Sequence, residues 1–235
     1  MKLQNRIAII TGATGALGTV VTQTFLQNGA KVMATYHDEK SFHALERTVG
    51  SNGLRGMAVD VTSPQSVQAL IDHTLSQFGQ IDILVNLVGG FLGGINVVDL
   101  AEAEWDRMIN LNLKSAFLVG KAVLPHMMQR SHGRIVNISS KGALDVLPGS
   151  SAYSVAKAGV ITLTTAIARE SKSHGITANV ILPGTIDTAA NRAAMPDADF
   201  SKWVKPQAIA DMILFLCSDQ ARDITGAAIP VYGQG

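Results

Sequence analysis

Tyr153 and Lys157, in the stretch YSVAK, stand four residues apart, so on a helix their side chains share one face. A phenol with a pKa of about 10 is a poor acid at neutral pH. A lysine ammonium one turn away favours the phenolate, so the pair reads as a tyrosine with a lowered pKa, set up for general acid–base work. Chance spacing also produces such pairs on solvated helix faces. Two further features weigh against that. Thirteen residues upstream, NISS closes an apolar run with Ser140, a hydroxyl able to donate to a substrate oxygen. Downstream, LPGTIDT puts Pro183 and Gly184 at the end of another such run.

A second constellation lies near the amino terminus. TGATGALG, residues 11–18, follows the apolar run Ile7–Ile10 and precedes a helical pattern. Between a strand and a helix, Gly12 and Gly15 would turn the backbone sharply beneath a pyrophosphate, and Gly18 would permit close helix–strand packing. The helix from Ala16 would aim its free N–H groups and positive dipole end at that anion.

These groups need a scaffold, and the chain alternates accordingly. Strand candidates are Ile7–Ile10, Lys31–Thr35, Met57–Val59, Ile81–Val85, Arg134–Ile138, Thr177–Leu182 and Ala228–Val231. Helix candidates are Ala16–Asn28, Ser41–Val49, Pro64–Phe78, Trp105–Arg130, Tyr153–His174 and Pro206–Leu216. Ser63 as N-cap with Pro64 in the first turn starts one helix, and Gly29 stops another. Strands apolar on both faces, separated by helices, imply a doubly wound parallel α/β sheet, Rossmann-like, of seven strands in three layers. The expectation is one domain over residues 1–235, with a long irregular loop from Pro183 to about Lys205.

Composition narrows the function. Nineteen basic and 18 acidic residues leave a net charge of +1 with no run of like charge, which argues against nucleic acid or an anionic membrane as partner. No stretch has the apolar length of a membrane helix or signal peptide, so a cytoplasmic protein is expected. Cys217, the single cysteine, sits in apolar MILFLCSD and reads as a buried, inert thiol. The histidines show no helical pair spacing, so no metal site is expected.

Taken in order, TGATGALG, DV, NLVGG, NLNLKSAF, NISS, YSVAK and LPGTIDT resemble the short-chain dehydrogenase/reductase family across essentially the full chain. The resemblance implies an NAD(P)(H)-dependent oxidoreductase moving a hydride between nicotinamide and a carbonyl or alcohol. It implies Tyr153 as general acid/base, Ser140 orienting the substrate oxygen, and Lys157 on the nicotinamide ribose. Asn112 would complete a proton relay to that lysine. Cofactor contacts would come from Gly12, Thr14, Gly15, Leu17 and Gly18, from Tyr36 and His37, and from Asp60 and Val61 at the adenine. Asn86 and Gly89 would support the cofactor, Tyr153 and Lys157 would also touch it, and Pro183, Gly184, Ile186 and Thr188 would line the nicotinamide. A homo-oligomer, a tetramer, is implied as well, with Trp105–Arg130 and Tyr153–His174 pairing across one two-fold axis.

The chain departs from the family pattern at Ala16, where a second glycine is usual, and at NLVG in place of NNAG. The strand carrying KVMATY ends in Tyr36 and His37 without the acidic residue that marks NAD, and Asp38 and Glu39 read as charges on the next helix. NADP(H) is therefore expected over NAD(H). Phe91, Leu144, Leu147 and Trp203 read as apolar walls for a small-molecule substrate, and Arg192 as a solvated arginine. Rival readings are a cofactor-sensing regulator that has lost catalysis, or epimerase, dehydratase or pteridine-reductase chemistry on the same scaffold.

Overall fold

The computed structural model describes residues 2–234. Seven parallel strands form one sheet: β1 (Ile7–Thr11), β2 (Lys31–Tyr36), β3 (Leu54–Ala58), β4 (Ile83–Asn86), β5 (Gly133–Ile138), β6 (Ile176–Pro183) and β7 (Ala228–Val231). Their order is β3-β2-β1-β4-β5-β6-β7. The order reverses between β1 and β4, where Thr11 lies opposite Asn86 at the carboxyl ends. An open sheet of this kind binds its ligand in the crevice at that switch point.

The alternation of β1 shows how both faces are covered. Ala8 and Ile10 pack with Val21 and Phe25 of α1 (Ala16–Gln27) and Ile213 of α8 (Pro206–Cys217). Ile9, pointing the other way, packs with Leu70 of α3 (Pro64–Phe78), Val119 and Val123 of α5 (Ser115–Gln129) and Ile167 of α6 (Ser151–Ser171). With both faces covered, all five residues of β1 and all eight of β6 are buried. Ser63 caps α3 as expected, accepting from Ser66 N at 3.4 Å, with Pro64 in the first turn. No helix among the described residues is long and apolar enough to cross a membrane.

Four elements differ from the sequence expectations. The third strand starts at Leu54, ahead of the expected Met57–Val59, because Gly56 lies in register beside Ala34, beneath the Phe42 ring. The fourth starts at Ile83 rather than Ile81. The helix expected over Trp105–Arg130 is α4 (Glu102–Ile109) and α5 joined by a π-helical turn, Asn110–Lys114. The stretch from Pro183 to Lys205 is not irregular. It holds α7 (Ala189–Ala194) and a 3₁₀ turn, Phe200–Lys202, and Ile186 bridges to Val204.

The amino ends of the strands carry a buried charge cluster. Asp82 is fully buried, and its carboxylate accepts from Ile7 N at 2.8 Å, Gln80 Nε2 at 2.8 Å and an Arg130 guanidinium nitrogen at 3.2 Å. Arg6 lies 3.8 Å away.

Candidate active site

At the carboxyl edge, β5 delivers Ser140 and α6 delivers Tyr153 and Lys157 on one face. Ser139 Oγ donates to the Lys157 carbonyl at 2.7 Å, tying the helix to the strand end. Tyr153 hydrogen-bonds with the Ser140 side chain, and Ser140 Oγ also accepts from Gly142 N at 3.1 Å. Phe91 meets the Tyr153 ring edge-on, with centroids 5.0 Å apart.

Lys157 is buried, and its Nζ donates to the Ile138 carbonyl at 3.0 Å and lies 6.0 Å from the Tyr153 ring centre. Among the described residues no carboxylate pairs with it. Burial therefore pulls its pKa down to about 8, since nothing offsets the cost of desolvating the ammonium. The expected lowering of the tyrosine is corrected by the same physics. Burial raises the Tyr153 pKa, and the Ser140 hydrogen bond offsets that only in part.

The π turn explains how Asn112 arrives. Its Nδ2 donates to the Met108 and Gly90 carbonyls, each at 3.1 Å, and its Oδ1 accepts from Gly90 N at 3.1 Å. One extra residue per turn exposes a carbonyl for such a bond, which is why π turns gather at functional sites. Gly89 lies between the two: a Cβ there would stand 2.8 Å from Asn112 Oδ1 and 3.0 Å from Lys157 Nζ. Ser140, Tyr153, Lys157, Asn112 and Gly89 thus converge.

The glycine turn after β1 suits an anionic dinucleotide. Gly12 has φ of +66°, and a Cβ on Gly18 would fall 2.1 Å from the Gly12 carbonyl oxygen, so α1 seats directly on the turn rather than on a neighbouring strand. Gly15, by contrast, has φ of −72°, so the sharp turn belongs to Gly12 alone. No side chain caps α1 and no acidic residue occupies its first turn, whereas Asp38 and Ser63 cap α2 (Glu39–Val49) and α3. Its N–H groups are left for a ligand, and the residues fit a pyrophosphate. Thr14 and Leu17 lie in the same segment.

Other expected contacts are partly spent inside the protein. Asn86 Nδ2 donates to Asn137 Oδ1 at 2.8 Å, and Asn137 in turn donates to Thr164 Oγ1 at 2.8 Å, a buried ladder that ties β4, β5 and α6 together. Asp60 accepts from Thr62 N and Oγ1 at 2.8 and 2.6 Å, which lowers its pKa, and Val61 is buried. Thr188 Oγ1 caps α7 by accepting from Asn191 N at 3.2 Å. Tyr36 stacks on Phe42 at 4.9 Å, beside exposed His37. Asp38 Oδ1 accepts from Ser41 N at 2.9 Å, as a helix cap should.

Leu144 and Leu147 stand exposed near the site, while Trp203, tilted against Phe200 at 4.8 Å, helps line a cleft with Gly184 and Thr185. Arg192 is not simply solvated. It makes a two-pronged pair with Asp187 at 2.6 and 2.9 Å, and Lys205 reaches the same carboxylate at 2.5 Å. Those cations hold the Asp187 carboxyl far below the usual carboxylate range. Cys217 is buried, and burial pushes its thiol above the ordinary range.

Sequence reasoning missed Asn137, Ser139, Ser150 and Ser154. Ser150 Oγ donates to the Leu147 carbonyl at 2.7 Å and stands 3.1 Å from Ser154 Oγ, fixing the entry to α6. Ser139 was available from strand alternation, which points it opposite to Ser140.

With this geometry in place, comparison with known proteins is informative. A family model described as enoyl-(acyl carrier protein) reductase matches residues 12–233. The 3-oxoacyl-[acyl-carrier-protein] reductase FabG of Escherichia coli is 35% identical over 241 residues, covering 99% of this chain and 98% of that protein. The (2S)-[(R)-hydroxy(phenyl)methyl]succinyl-CoA dehydrogenase subunit BbsD of Thauera aromatica is 37% identical over 243 residues, covering 99% and 97%. The crystal structure of gox2181 superposes with a TM-score of 0.93 at 29% identity, covering 99% of this chain and 96% of that one.

Proposed function

The chain belongs to the short-chain dehydrogenase/reductase family and is an oxidoreductase acting between carbonyl and alcohol groups; from that premise we propose that Tyr153 is its general acid/base and that its substrate is a 3-oxoacyl or 3-hydroxyacyl compound. The convergence of Tyr153, Ser140, Lys157 and Asn112 at one strand edge carries this reading. The substrate class follows from the names of the two relatives: one acts on a 3-oxoacyl group, the other on a hydroxyl-bearing carbon attached next to an acyl carbonyl.

Ser140 donates to the substrate oxygen and Tyr153 Oη gives its proton to the developing alkoxide, or takes the alcohol's proton in reverse. Lys157, with a pKa of about 8, is close enough to neutral pH to pass a proton onward, and Asn112 holds the Gly90 backbone that shapes that route. The nicotinamide cofactor, when bound, supplies or accepts the hydride. Gly12, Thr14, Gly15, Leu17 and Gly18 would hold its pyrophosphate, Asp60 and Val61 its adenine, and Pro183, Gly184, Ile186 and Thr188 its nicotinamide.

NADP(H) is the favoured form. Asp38 is engaged in capping α2, leaving Tyr36 and His37 to face the ribose end of β2. We place this chemistry in one domain spanning residues 1–235, in a cytoplasmic homotetramer. Exposed Phe117 on α5 and Val155 on α6 support pairing of those helices between subunits. Light scattering that finds a stable 24.8 kDa monomer at micromolar concentration would refute the tetramer.

The experiment that tests the mechanism is Tyr153→Phe. Turnover of 3-oxoacyl compounds should fall about 10²–10⁴-fold, with cofactor binding nearly intact, because only the proton donor is lost. Near-normal kcat would overturn the assignment.

A further inference from the structure

The chain from Gly184 to Lys205 leaves the end of β6, and one carboxylate gathers it. Asp187 stands between Ile186 and Thr188, with its side chain only 8% exposed. Arg192 of α7 meets it in two prongs, Nε on Oδ1 at 2.6 Å and a second guanidinium nitrogen on Oδ2 at 2.9 Å. Lys205, at the far end of the segment, donates to the same Oδ2 at 2.5 Å. A single anion thus closes a span of 18 residues through charge-assisted hydrogen bonds. The backbone is committed to the same closure. Asp187 N donates to the Val204 carbonyl at 2.8 Å, Val204 N to the Thr185 carbonyl at 2.9 Å, and Asn191 Nδ2 to the Ile186 carbonyl at 2.8 Å. Side chains carry it further towards the site. The Arg192 guanidinium lies 4.7 Å from the Phe200 ring centre, and the Phe200 ring lies 4.8 Å from Trp203. Trp203 in turn lines a cleft of about 320 Å³ with Gly184 and Thr185. An asparagine in place of Asp187 would offer one acceptor oxygen and turn an NH2 group towards cationic donors.

We propose that Asp187 is a positioning residue, a clasp that holds residues 188–205 against the nicotinamide side of the site through Arg192 and Lys205. This rests on the reading above of Pro183, Gly184, Ile186 and Thr188 as the nicotinamide wall. The clasp acts through the fraction of molecules in which the segment is closed, so it sets cofactor affinity and leaves the chemical step alone.

The test compares Asp187→Asn and Asp187→Glu with the unaltered protein, using whichever of NADPH and NADH binds more tightly. In Asp187→Asn the calorimetric Kd of that cofactor should rise about threefold to tenfold, with kcat for 3-oxoacyl compounds within about twofold. Trypsin cleavage after Lys202, which lies outside the clasp, should quicken by a similar factor, because cutting of the native protein follows the open population. The urea midpoint should stay. Asp187→Glu keeps the charge and should restore both affinity and resistance. Lys205→Met, at an exposed position, should give a smaller part of each change, which keeps the test open if Asp187→Asn folds poorly. Unchanged cofactor affinity in Asp187→Asn and Lys205→Met would overturn the clasp. So would a kcat that falls while Kd holds. The expected binding and cleavage in a protein that turns over no 3-oxoacyl compound would uphold the clasp while sinking the proposed reaction.

Discussion

The two ends of the sheet treat buried charge in opposite ways. At the amino edge, fully buried Asp82 is met by a backbone N–H, an amide and two arginines. At the carboxyl edge, buried Lys157 has a single carbonyl at 3.0 Å and, among the described residues, no carboxylate. A compensated buried charge is structural mortar whose removal costs stability. An uncompensated one has a displaced pKa and room for another charge or proton, the condition that active sites share. The same α/β layering thus yields a stabilising edge and a reactive one, and the difference lies in what surrounds a few polar side chains.

The largest expected break between the edges is in rate. Tyr153→Phe should cost about 10²–10⁴-fold in turnover. At the other edge, Asp82→Ala leaves the Ile7 N–H, the Gln80 amide and the Arg130 guanidinium without their acceptor and removes the ion pair with Arg6. It should destabilise the protein by about 3 kcal/mol, the lower part of the range for a broken buried pair because Arg6 and Arg130 reach solvent. Urea denaturation measures it, and a loss below about 1 kcal/mol would show that the cluster is surface-like.

Acid and alkali should separate the edges further. His132, near Arg6 and Arg134 at the amino edge, has a pKa lowered from 6.5, first by burial and then by those cations. Below pH 6.5 the unfolded chain holds the extra proton, so stability falls as the pH drops, and His132→Gln should flatten that limb. Lys157 titrates at about 8 when folded against 10.5 when unfolded, so between those values the unfolded chain again binds more protons and stability rises with pH. Lys157→Met should remove the rise. Stability that is flat from pH 8 to 10.5 in the unaltered protein would contradict the buried, unpaired ammonium.

The smallest effect concerns cofactor choice at β2. NADPH should be preferred over NADH modestly in kcat/KM, because Asp38 is engaged in capping α2 and leaves no free carboxylate beside Tyr36 and His37 to repel the 2′-phosphate. A tenfold preference for NADH in kcat/KM would show that Tyr36 and His37 read no phosphate.

The sheet was legible in the sequence because β1, β4 and β6 are buried on both faces and are written mostly in apolar residues, with Thr11, Asn86, Thr177 and Asn179 as the buried polar ones. The half-exposed β3 was not, since Gly56 interrupts its pattern and only Phe42, packed from α2, explains the glycine. Ser140, Tyr153 and Lys157 were readable from spacing along one strand end and one helix. The π turn was not, because Asn110–Lys114 continues the apolar period of an ordinary helix, and its cause is the contact of Asn112 with Gly90, 22 residues away. The direction of the Tyr153 shift was misread for a related reason. Spacing shows which groups are neighbours and says nothing of how much water is left around them.

The most direct test reads both edges at once, by measuring kcat and the urea midpoint for Tyr153→Phe and Asp82→Ala side by side. The expected result is crossed: Tyr153→Phe loses at least about a hundredfold in kcat and keeps its midpoint, while Asp82→Ala keeps kcat and loses its midpoint. If Tyr153→Phe retains its turnover, or if Asp82→Ala impairs kcat as severely as Tyr153→Phe does while remaining folded, the division into a reactive and a stabilising edge is wrong.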